Sequence, residues 1–117
     1  MTEQTVIFPW PPAILNPNGR PHHMALYRAK KSYKQACWAL AKQARMTHVP
    51  GIRPLVTLTF VPPTRRHRDG DNLVGSMKAG LDGLAAAMGC NDTLFRLGEP
   101  IVKDDEIGGF VRVVVSA

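Results

Sequence analysis

The chain predicts an α+β fold, a mixed layer in which a small sheet of about four strands packs against two main helices. Three observations carry that expectation. Residues 55–61 form a β-branched and aromatic run with period-two alternation, two other segments repeat their apolar residues at helical spacing, and the tail returns to β-prone sequence. At 117 residues the chain is one domain's length, so a single domain over 1–117 is expected.

Thr5 to Phe8 is a short β-prone run stopped by Pro9-Trp10-Pro11-Pro12, whose prolines remove donors and fix φ. An edge strand is expected there, followed by an irregular loop to Lys31 that carries Arg20, Arg28, Lys30 and Lys31. Ser32 and Gln35 fit a capping box, and Tyr33, Cys37, Leu40 and Ala44 then recur as an apolar helical stripe. Pro50-Gly51 ends any continuation.

Leu55 to Val61 is the clearest strand, and Pro62-Pro63 ends it. After Asp71-Asn72, the residues Leu73, Met77, Leu81, Leu84 and Met88 follow helical spacing, and Gly89 suits the left-handed position after a helix. One helix over 73–88 is expected. Its stripe of small residues, Ser76, Gly80, Gly83 and Ala87, predicts close backbone packing against a sheet or a second subunit. Strands near Ile101-Val102 and over Phe110 to Val115, joined through Asp104-Asp105-Glu106 and Gly108-Gly109, predict a hairpin with an acidic, solvated tip.

The formal net charge is +6, which makes a polyanion, nucleic acid first, the natural partner. No apolar run approaches the ~20 residues of a membrane span, and the polar N-terminus lacks a signal peptide's apolar stretch. A cytoplasmic protein with no membrane partner and no small-molecule cofactor is expected. Cys37 and Cys90 have no CxxC spacing and are expected to be reduced thiols without a role.

The chemistry centres on Arg65-Arg66-His67-Arg68-Asp69-Gly70-Asp71-Asn72, followed by Lys78, Asp82 and Asp92. Carboxylates inside a basic segment repel the phosphates that arginines attract, and a divalent cation bridging the two resolves the conflict. In an extended segment Asp69 and Asp71 would point to one side, roughly 7 Å apart at Cα, and share one metal ion. Magnesium suits such oxygen ligands, Lys78 is placed to offset charge on a leaving oxygen, and Asp92 has to return to the site by a bend or from a partner. The alternative, in which Asp69 and Asp71 cap a helix and balance the arginines, stays open at this point. Asp82, four residues from Lys78, is expected to form a surface ion pair with it. Trp10 is expected to anchor packing rather than stack on a base.

These residues resemble the RusA family of Holliday junction resolvases, small magnesium-dependent endonucleases found mainly in phages and prophages. The similarity runs over most of the chain: Pro9-Trp10-Pro11-Pro12, a basic loop and helix, Arg68-Asp69-Gly70-Asp71-Asn72, Lys78-Ala79-Gly80-Leu81-Asp82, then Asp92. The resemblance implies Mg²⁺ held by Asp69, Asp71 and Asp92, a catalytic Lys78, and a homodimer that nicks two strands symmetrically at a four-way DNA junction. Arg65, Arg66, His67, Arg68, Arg20, Arg28, Lys30 and Lys31 would contact DNA. Family members place the lysine one helical turn after the second aspartate, whereas Asp71 and Lys78 are seven apart, a shift of about 4.5 Å along a helix axis. Asn91 stands where a second aspartate often precedes the ligand. Two other readings accompany this one: a non-catalytic, basic junction-binding protein, and a nuclease of the same chemistry acting on flaps, forks or RNA.

Overall fold

The computed structural model describes residues 3–65, 68 and 70–117. Among them a five-stranded mixed sheet carries three helices, an α+β architecture. Strand β1 (Gln4–Pro9) lies at the edge, pairs antiparallel with β5 (Phe110–Ser116), and β5 in turn pairs antiparallel with β2 (Leu55–Val61). Two short strands, β3 (Arg96–Leu97) and β4 (Ile101–Val102), run parallel to β2 on its other side.

Register sets the core. Phe8, Val111 and Phe60 form one row across β1, β5 and β2, and Val6, Val113 and Leu58 form the next. All six are buried, because alternation sends every second residue of each strand to the same face. Helix α1 (His23–Gln43) and helix α3 (Lys78–Met88) bring Tyr33, Cys37, Leu84 and Met88 into the same core.

Four expectations are corrected. Helix α1 starts nine residues before Ser32: His22 caps it through Nδ1, which accepts from Met24 N at 3.2 Å, so the preceding loop ends there. Leu26 and Ala29, partly buried, extend the Tyr33/Cys37 stripe toward this start. The helix expected over 73–88 is two, α2 (Gly70–Ser76) and α3, separated at Met77. Ser76 Oγ donates to Asn72 O at 2.9 Å, a back-bond that bends helices, and Met77 N bonds Val74 O in a tight turn. The expected hairpin is absent: β4 pairs with β2, and β5 is inserted between β1 and β2. Asp104, Asp105 and Glu106 are exposed around a turn, as expected of that acidic stretch.

The small-residue stripe packs on α1, not on the sheet. A Cβ on Gly83 would stand 2.4 Å from Lys34 O and 3.0 Å from Trp38 N, and one on Gly80 would meet Tyr33 Cε2 at 2.8 Å. Only glycine lets the two helix backbones approach this closely. Gly89 closes α3 in the left-handed conformation, with φ 79°, as its position after the last apolar residue predicts. No described helix is long and apolar enough to cross a membrane.

Candidate active site

The candidate site lies where α2 and α3 face the segment after α3. Strand β2 delivers the chain at its carboxyl end into the arginine-rich segment, and α2 follows at once. Asp71 sits exposed in the first turn of α2, helical rather than extended. Asp69, Arg66 and His67 lie outside the described residues.

Asp71 shares a side of α2 with Val74 and Gly75, three and four residues on, and Lys78 opens α3 just past the break at Met77. Val74, Gly75 and Lys78 form one wall of a cleft of about 280 Å³, and Asp92, Phe95 and Leu97 form the other. Asp92 begins a 3₁₀ turn, Asp92–Leu94, held by Asn91, whose Oδ1 accepts from Thr93 N at 3.0 Å. Asn91 thus works as a cap at the position where the resemblance would put an acid. Asp92 returns to the helix within its own chain, and its Oδ2 stands 3.7 Å from Lys78 Nζ.

The ion pair of Lys78 is therefore with Asp92, and the sequence reading missed what Asp82 does. Burial pushes the Asp82 carboxyl above the usual carboxylate range, and Asp92, through a hydrogen bond and its charge, pushes it further. Lys78 and Lys34 pull it partly back. Asp82 and Asp92 interact through their charges, and carboxylates are hard oxygen donors of the kind a divalent cation takes. A usable signal was present: Asp82 follows Lys78 by one helical turn and therefore faces whatever Lys78 faces. Among the described residues no three His, Cys, Asp or Glu side chains gather into a metal-binding group.

The basic residues fall into two sets. Arg65 is exposed, whereas Arg68 is held within the fold: its guanidinium donates to Thr64 O and Oγ1, both at 2.8 Å, and lies 5.4 Å from the Trp10 ring centroid. Trp10 in turn packs edge-on against Phe60, a packing anchor as expected. Lys30 and Lys31 line a second, larger groove beside Lys78, and Arg20 and Arg28 are exposed on the loop and helix that border it. Cys37 and Cys90 are free thiols.

No family model matches the chain. A curated protein of Xylella fastidiosa (strain Temecula1 / ATCC 700964), named "Uncharacterized protein", is 33% identical over 108 residues, which are 87% of this chain and 68% of that protein. The chain belongs to the same family as this Xylella fastidiosa protein.

Proposed function

We propose that the chain is a magnesium-dependent DNA endonuclease that acts on four-way junctions as a homodimer, cutting two strands symmetrically by phosphodiester hydrolysis. The observation that supports it most is the meeting of Lys78 and Asp92 across the cleft, with Asp82 one turn along α3 from Lys78 and Asp71 in the first turn of α2. Asp71, Asp92 and Asp69 would hold the ion. When bound, magnesium supplies polarisation of a phosphoryl oxygen and eases deprotonation of water. The attacking water forms the new P–O bond as the bond to the leaving oxygen breaks. Lys78, largely exposed at the cleft mouth, offsets the charge that develops on that oxygen. Arg65 and the exposed cations of the 20–34 stretch contact phosphates, an interaction that weakens steeply with salt and carries little sequence information. Dimerisation would present two equivalent sites to two equivalent strands.

A synthetic four-way junction incubated with magnesium tests the reading. Wild type should give paired nicks and Asp71→Asn none, with chelation abolishing both cuts. Flap, fork and RNA substrates at the same salt concentration identify which branched form is preferred. Junction binding without any magnesium-dependent cut would leave only a basic binding protein.

A further inference from the structure

The larger groove beside the cleft points to a ligand form that the nuclease reading leaves open. It encloses about 720 Å³ between α1, the 14–21 segment and the start of α3. Its charged lining is Lys30, Lys31, Lys34 and Lys78 against Asp82 alone, so it attracts an anion. Tyr27 also lines it, and at 60% exposure its ring is presented to solvent rather than used in packing.

The order of these side chains on α1 is specific. Tyr27, Lys31, Lys34 and Trp38 are spaced by four, three and four residues, so they form one stripe with one member per turn. All four are exposed, Trp38 at 44%. The stripe follows the seam between α1 and α3, since the backbones of Lys34 and Trp38 are those that Gly83 approaches. From Tyr27 to Trp38 it extends about 16 Å.

An exposed ring beside a run of cations along a groove supplies the two elements of single-strand binding: bases stack on rings while phosphates follow the positive charge, and Tyr27, Lys30, Lys31 and Lys34 line this groove together. The groove's size selects the same ligand. Pockets of roughly 300–1,000 Å³ enclose bodies of small-molecule dimensions, so a nucleotide or two enters where a duplex does not. We propose that this groove binds a single DNA strand, with a base stacked on Tyr27 and phosphates on Lys30, Lys31 and Lys34, and leads it toward Lys78. The inference rests on the nucleic-acid reading above for its ligand class, and on the groove for its form.

Fluorescence anisotropy with a thymidine oligomer of about eight nucleotides, and with a duplex of equal length, tests it in chelator, where no cleavage is needed. Wild type should bind the single strand more tightly than the duplex. Tyr27→Ala should weaken single-strand binding by about tenfold while leaving duplex binding unchanged, and Tyr27→Phe should restore wild-type affinity. Each of Lys31→Ala and Lys34→Ala should lower the slope of log affinity against log salt by about 0.7, the value for a single-strand phosphate contact. Preference for the duplex, or an unchanged single-strand affinity in Tyr27→Ala, would overturn the proposal even if junctions are cut. Failure to cut any junction while these shifts appear would sink the nuclease reading and leave the groove assignment standing.

Discussion

Lys78 Nζ and Asp92 Oδ2 meet at 3.7 Å although fourteen positions separate them, because α3 carries the chain away and the capped turn at Asn91 brings it back. With the lysine side chain 78% exposed, such a pair contributes only about 0–1 kcal/mol to stability. Lys78→Met is expected to shift the melting temperature little and to lower junction cleavage by about 10²–10³-fold. Parallel calorimetry and cleavage kinetics check it, and a large melting shift with unimpaired cleavage would reduce the pair to a structural contact.

Asp82 gives a pH prediction. Its carboxyl titrates above the ordinary value of about 3.9 in the folded chain, so the folded state holds the proton more tightly than the unfolded one. Its contribution to stability is full below that ordinary value and is lost as pH rises through the folded value. Asp82→Asn, which cannot ionise, should therefore melt above wild type at neutral pH and converge with it on acidification to about pH 4. The gap should stay under about 1 kcal/mol, since Asp82 is only half-buried and solvent screens it. Thermal melts in chelator over this pH range test the sign.

Gly83→Ala tests the helix seam. Its Cβ would press on Lys34 O and Trp38 N, both backbone atoms that no rotamer change can move aside. Overpacking of this kind costs about 1–3 kcal/mol, and α1 and α3 must part to relieve it. Chemical denaturation should report a lowered midpoint, while a stability equal to wild type would mean the seam is looser than the distances state.

The thiols should differ in reactivity. Cys37 is fully buried, and burial pushes its thiol up to about 12 despite the hydrogen bond from Tyr33, which lowers it. Cys90 is raised by burial and by the Asp92 charge, but it is only half-buried. Alkylation at pH 8 followed by peptide mass mapping should label Cys90 first and Cys37 only as the chain unfolds.

Local sequence determined much of this protein. Alternation and the flanking prolines give β2 its ends at Leu55 and Val61, β1 its place at an edge, and Gly89 its left-handed turn, because each depends on residues within a few positions. The start of α1 was also legible, since Leu26 and Ala29 keep the period of Tyr33 and Cys37, in place of the irregular loop expected up to Lys31. Residue types and charge marked Asp69, Asp71, Asp92 and Lys78 as candidates, of which Lys78 and Asp92 meet in the fold.

Tertiary structure decided the rest, where partners distant in sequence compete with local preference. Strand β5 pairs with β1 and β2 because that register aligns Val111 and Val113 with Phe8, Phe60, Val6 and Leu58, a buried row that a hairpin with two-residue β4 would not provide. Helix periodicity ran on through Met77, whereas burial of that side chain under Tyr33 OH and the back-bond of Ser76 divide α2 from α3. The same division sets Lys78 and Asp82 opposite Asp92, a proximity that depends on how the chain folds back and not on any spacing along it.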